Sequence, residues 1–106
     1  MHKVDLEKAS MEIILHAGNA RTYVMEALEC CFNDKNEESI RLFSEAKSEI
    51  TLAHRVQTEV IQSMIDKHNE YSVLFSHAQD TLMSIMTEVN LAEKMMRMYD
   101  KLGNRG

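Results

Sequence analysis

The 106-residue sequence predicts an all-α fold, an antiparallel bundle of three long helices, and three observations predict it. It holds no proline and only three glycines, so the usual punctuation of hairpins and sheets is missing. Apolar residues recur at steps of three and four through three segments of roughly thirty residues each. Two short polar breaks separate those segments. Connections this short force neighbouring helices to run antiparallel, giving an up-down-up trio.

The first segment spans about Asp5 to Phe32, where Ile13, Ala17, Ala20, Val24, Ala27 (with Leu28) and Cys31 mark one helical face. Asn33-Asp34-Lys35-Asn36 ends it with residues that favour turns. The second covers about Glu37 to Ile65, with Phe43, Ala46, Ile50, Ala53, Val60 and Met64 facing inward. Asp66-Lys67-His68-Asn69 forms the second break. The third begins between Asn69 and Ser72 and continues to about Leu102, with Gly103 as a C-terminal stop.

The third helix is apolar on two sides. Leu74, Ala78, Leu82, Ile85, Val89, Ala92 and Met96 form one face. A second row runs through Val73, Asp80, Met83, Ser84, Thr87, Leu91, Met98 and Leu102. Only the strip through Gln79, Asn90, Glu93, Arg97 and Lys101 is frankly polar. A helix with two apolar faces needs two burial partners, and another copy of the chain is the natural second one.

Length and charge narrow the classes of function. The chain is one domain, residues 1–106, with a thin core of the kind that association often supplements. A formal charge of −5 argues against nucleic acid or an anionic membrane surface as partner. No apolar run is long enough to span a bilayer, and the charged opening Met1 to Glu7 does not read as a secretory leader. Cys30 and Cys31 are adjacent, which rules out an ordinary disulfide between them and suits reduced thiols. A cytoplasmic protein is expected.

Two residues stand out chemically. Asp80 lies within the second apolar row, where a carboxylate needs a partner, a proton or a cation. Copies meeting on a symmetry axis would repel, and magnesium or calcium, which take oxygen ligands, would offset that. Spacing alone fits a solvated edge equally well. His77 lies one turn earlier on the flank of the same row, open to reading as nucleophile, ligand or packed imidazole. The roles of His16 and His54 are left open. His2 falls in the N-terminal tail and His68 in the second break. Neither a zinc-type Cys/His cluster, a serine triad nor a glycine-rich phosphate loop occurs.

The local sequences say more. Ser76-His77-Ala78-Gln79-Asp80-Thr81-Leu82-Met83 resembles the HAQDxLM signature of the lactose/cellobiose-specific enzyme IIA family of the bacterial sugar phosphotransferase system. Ile13-Ile14-Leu15-His16-Ala17-Gly18-Asn19-Ala20-Arg21 is similar to that family's IIxHAGNAR stretch. Ala53-His54-Arg55-Val56-Gln57-Thr58-Glu59-Val60-Ile61-Gln62 is similar to its AHxxQTxLIQ stretch. The three occur in the family's order, and the resemblance covers nearly the whole chain.

The resemblance implies a homotrimer, a nine-helix bundle, in which His77 is the phosphorylated nucleophile. It implies that three Asp80 carboxylates meet on the axis and bind a divalent cation, usually Mg2+. The phosphoryl group would come from the phosphocarrier HPr and pass to a cysteine of the IIB component. Gln79, inside the motif, is expected to position groups or serve an interface. Thr81 departs from the family, which often has a second histidine there; a hydroxyl can still donate to phosphate. A non-catalytic helical assembly protein is the competing reading, and the four-helix phosphotransfer domains of two-component signalling lack the HAGNA and AHxxQT stretches. The transported sugar is not legible, because a IIA component touches proteins rather than sugar.

Overall fold

The computed structural model describes residues 5–65 and 72–103. It has three helices, α1 (Leu6–Phe32), α2 (Asn36–Ile65) and α3 (Val73–Gly103). The expected break at Asp66–Asn69 and the expectations for His2 and His68 fall outside what is described, as does the side chain of Met64. Each described boundary lies within a few residues of its expected position.

Local chemistry sets those boundaries. Asp5 caps α1, its carboxylate accepting from the Lys8 amide at 3.1 Å. At the other end, the Asn33 amide donates back to Glu29 and Cys30, and the Lys35 amide to Cys30 at 2.8 Å. Asp34 turns the chain in the left-handed region at φ 61°, a conformation that Asp tolerates better than most residues. Ser72 caps α3, its hydroxyl accepting from the Phe75 amide at 3.0 Å. The helix thus starts at Val73, just past the expected range, because Ser72 serves as the cap.

The helices form a rod of 60 × 17 × 17 Å. α1 packs along both neighbours, while α2 and α3 touch each other only sparsely. α1 and α3 run parallel with α2 antiparallel to both. The expected inner face of α1 is buried at every step from Ile13 to Cys31, with Leu28 half-buried beside it. In α3 the buried set is Phe75, Ala78, Leu82, Ile85, Val89 and Ala92. Leu74 and Met96 are only half-buried, and the unanticipated Phe75 ring takes the core position beside Ala78. Phe43 and Ile50 of α2 also sit half-buried at the margin.

Polar ties pin the register. Ser39 is buried and donates its hydroxyl to the Ala27 carbonyl at 2.9 Å, joining α2 to α1. Tyr99 of α3 donates to the Asp34 carboxylate at 2.8 Å, and its ring lies 5.3 Å from that of Phe32. Arg21 of α1 grips Glu88 of α3 through two parallel bonds of 2.9 and 2.7 Å.

The Arg21–Glu88 pair makes a prediction about acid. The guanidinium's hydrogen bonds hold the Glu88 carboxyl below its ordinary value of 4.5. A depressed folded pKa contributes stability that is present above the unfolded value and is lost as pH falls through the folded one. Both side chains are more than 40 % exposed, so the contribution is small, about 0.2–1 kcal/mol. Glu88→Gln should therefore melt slightly below wild type at pH 7, and the two melting curves should converge as pH falls through the lowered Glu88 pKa.

Candidate functional site

The site is built on the first turns of α3, and a buried alanine orients it. Ala78 is fully buried, as is Leu82 one turn on, and together they fix the rotation of the helix about its axis. At about 100° per residue, His77 and Gln79 then lie on opposite flanks, and Asp80 points nearly straight outward. His77 and Asp80 are exposed and Gln79 is half-buried. Sequence proximity groups all three, whereas the fold groups only His77 with Asp80. Gln79 is turned to the other flank.

Arg21 and Glu88 show which flank is which. Glu88 lies on the same side of α3 as His77 and is clasped by α1. His77 therefore faces the α1 side of α3, and Gln79 the α2 side. The Arg21–Glu88 and Phe32–Tyr99 pairs share a sequence offset of 67, which sets His77 level with Ser10 and Met11. Ser10 is buried and spends its hydroxyl on the Leu6 carbonyl at 2.7 Å, so it offers nothing to the groove. Thr81 is half-buried on the His77 flank, one turn further along, within helical i,i+4 reach of it.

Among the described residues, no side chain hydrogen-bonds to His77 or Asp80. Those residues also hold no group of three or more His, Cys, Asp and Glu able to grip a metal ion. Asp80 offers the hard oxygen donor that magnesium or calcium takes, but one protomer supplies one such carboxylate. A cation site at Asp80 requires further copies of the chain.

His16 has a different environment. Its Nδ1 lies 2.8 Å from Glu49 Oε1 of α2, with 24 % and 18 % of the two side chains exposed. A carboxylate only accepts, so Nδ1 carries the proton and donates. Asn19 donates to the same oxygen at 3.1 Å. This three-residue tie was not legible in the sequence, since Glu49 lies 33 residues from His16. The HAGNAR stretch is thereby largely accounted for structurally. His16 and Asn19 hold α2, Ala17 and Ala20 are buried, and Arg21 holds α3. His54 of the second stretch is exposed on α2, while Ala53 beside it is fully buried.

The far end of the rod carries a cavity of about 290 Å³ lined by residues that include Cys31, Ser39, Met96 and Asp100. Burial, with Asp100 adding to it, pushes the Cys31 thiol up, which keeps it protonated and unreactive. Cys30 and Cys31 are both free thiols. No helix among the described residues is long and apolar enough to cross a membrane.

Comparison with known proteins agrees with this geometry. Residues 8–100 match the family described as PTS system, Lactose/Cellobiose specific IIA subunit. The lichenan-specific phosphotransferase enzyme IIA component of Bacillus subtilis is 35 % identical over 99 residues, 92 % of this chain and 90 % of that protein. The crystal structure of the cellobiose-specific enzyme IIA from Bacillus anthracis superposes with a TM-score of 0.89 at 39 % identity, covering 99 % of this chain and 97 % of the other. The IIA(chitobiose) chain of an Escherichia coli IIA–HPr complex shares the fold, with a TM-score of 0.80 at 24 % identity over 95 % and 99 % of the two chains.

The His16 geometry predicts a structural phenotype. His16→Ala removes the donor and leaves a mostly buried carboxylate held by Asn19 alone, at a cost of about 1–3 kcal/mol. Thermal melts should show that loss, while the helical content of the folded variant should match wild type.

Proposed function

This chain belongs to the lactose/cellobiose-specific IIA family of the sugar phosphotransferase system, and on that premise we propose that it carries a phosphoryl group on His77. The observation that carries the reading is the contrast between two histidines. His16 is committed to Glu49, whereas His77 stands exposed in the α1–α3 groove without a described partner, at the motif position. A neutral imidazole is a good nucleophile near neutral pH, and a phosphoimidazole readily gives its group up.

The transfer is a pair of in-line displacements. An imidazole nitrogen of His77 attacks the phosphorus on phosphorylated HPr; the new P–N bond forms as the bond to the donor breaks. The IIB cysteine thiolate then attacks the same phosphorus, a P–S bond forms, and the imidazole leaves. Such transfers need alignment and charge stabilisation more than covalent help, and the docked partner supplies part of both. An open groove suits a group that must be received and surrendered quickly. The Thr81 hydroxyl, within i,i+4 reach on the same flank, would donate to the carried phosphoryl oxygens. Gln79, on the α2 flank, serves positioning through a partner surface rather than contact with His77. HPr is supported as donor by the IIA–HPr complex of the Escherichia coli relative. The sugar served is of the lactose, cellobiose or β-glucoside type, in keeping with the relatives' names.

The working form is a homotrimer, with α3 of each copy towards the axis. The outward row of α3 supports this, since Val73, Met83, Leu91, Met98 and Leu102 are 55–71 % exposed in the protomer. Three Asp80 carboxylates would converge there and would hold Mg2+ or a similar cation, which supplies charge neutralisation at the axis.

Three measurements test these statements. His77→Ala should remain helical yet take up no label from phosphorylated HPr; uptake that survives in His77→Ala but disappears in His54→Ala would refute the assignment. Light scattering should return three times the 12.2 kDa chain mass, and magnesium should raise the melting temperature of wild type but not of Asp80→Asn. A cation that binds only the assembled carboxylates stabilises by mass action, and Asp80→Asn removes both the charge and the response.

A further inference from the structure

The core does not run the full length of the rod. On the inner face of α3, Ala92, Met96 and Asp100 follow at steps of four, and they pass from buried to half-buried to exposed. On α1 the inner face ends at Cys31, and the first turns of α2 bring up Asn36, Ser39 and Ile40. Where these helix ends meet, they leave the cavity of about 290 Å³ instead of closing on one another. Its size is near the low end for small-molecule pockets, which run from about 300 to 1,000 Å³. At roughly 30 Å³ per water-sized group, it takes about ten non-hydrogen atoms.

The walls offer acceptors on one side and apolar surface on the other. Asp100 stands at the mouth, where the apolar row of α3 would continue, and among the described residues no donor or cation meets its carboxylate. Ser39 is 2 % exposed and spends its proton on the Ala27 carbonyl, so its oxygen can only accept from a ligand. Asn36 adds an amide oxygen. Met96, Ile40 and the protonated Cys31 thiol supply the apolar wall.

The local field favours a cation. α1 and α3 both end here and present two negative poles, against one positive pole of α2 that Glu37 and Glu38 blunt. The last turn of α1 carries no basic residue and that of α3 only Lys101. After burial, it is Asp100 and then Asp34 that push the Cys31 thiol up, so the negative potential reaches the cavity wall.

We infer that this cavity binds a small organic cation, a primary ammonium on a compact apolar body. The ammonium donates to Asp100, to Ser39 Oγ and to the Asn36 amide oxygen, and the body lies against Met96 and Ile40. A bare metal ion fills too little of the space, and an anion is repelled by Asp100. From His77 to Asp100 the helix rises about 35 Å at 1.5 Å per residue. The cavity is therefore a site of its own, independent of the phosphoryl reading.

The test is an NMR titration of the isotope-labelled full chain with benzylammonium chloride. Amide shifts at Cys31, Ser39, Ile40 and Asp100 should saturate together at millimolar ligand. Benzyl alcohol has the same body without the charge, and methylammonium has the charge without the body; each should bind at least tenfold more weakly. Asp100→Asn should weaken benzylammonium about tenfold, the loss of one charge-assisted hydrogen bond. Glu37→Gln removes a carboxylate at the same end but outside the cavity, and should leave the affinity unchanged. Should Asp100→Asn fail to fold, the three-ligand comparison on wild type decides alone. Shifts that do not saturate, or that survive Asp100→Asn, overturn the site. Equal binding of benzyl alcohol overturns the cation. Equal binding of methylammonium, or displacement of benzylammonium by magnesium chloride, overturns the organic body.

Discussion

Small side chains line the interior of this bundle: among the described residues, eight of the seventeen buried apolar ones are alanine, spread over all three helices. Alanine lets helix axes approach closely, because axis separation follows the size of the side chains at the contact. It also buries little apolar area per residue, so a rod only 17 Å across gains limited stability from its core. The large apolar residues are displaced outward as a result, and thirteen of those described are substantially exposed. A slim interior and an adhesive exterior are two sides of one choice. The same alanines orient the chemistry, because Ala78 can sit fully buried only with His77 and Asp80 turned to the outside.

An alanine-lined seam is smooth, and a smooth seam specifies register poorly. Polar ties supply what packing leaves out. Ser39 to Ala27 fixes α2 against α1 near the turn, and His16 and Asn19 to Glu49 fix it again towards mid-rod. Arg21 to Glu88 and Tyr99 to Asp34 do the same for α3 at two separate heights. Each tie is individually modest. Together they decide which residue of α3 stands opposite which residue of α1, and therefore where in the groove His77 lies.

The sequence made the helices and their inward faces legible because both follow from local periodicity. Ile13 through Cys31 and Ala78 through Ala92 needed only the helical repeat to be placed. The ties were not legible, since Glu49, Glu88 and Asp34 each meet a partner more than thirty residues away and carry no local pattern. Phe75 escaped notice because periodicity ranks it level with Leu74, and only the shape of the core prefers the ring. At the candidate site, the motif singled out one stretch but could not sort its members. Gln79 is a sequence neighbour of His77 and Asp80, yet a rotation of about 100° per residue separates its flank from theirs.

The capping of α3 by Ser72 bears on the energetics of the phosphoryl group proposed for His77. His77 is the fifth residue of its helix, and helical side chains lean back towards the N-terminus. A phosphoryl group on its ring would thus lie near the first turn, where amide N–H groups lack helical acceptors and Ser72 occupies only one of them, that of Phe75. α1 starts at the same end of the rod and runs parallel, while α2 ends there with the opposite pole. The balance is about one helix's worth of positive potential, on the order of 0.3–1 kcal/mol for a nearby anion in water. That is enough to shift the partition of a dianion between donor, carrier and acceptor by a few-fold, and too little to trap it. A relay in near equilibrium with both of its neighbours works best with a bias of that size.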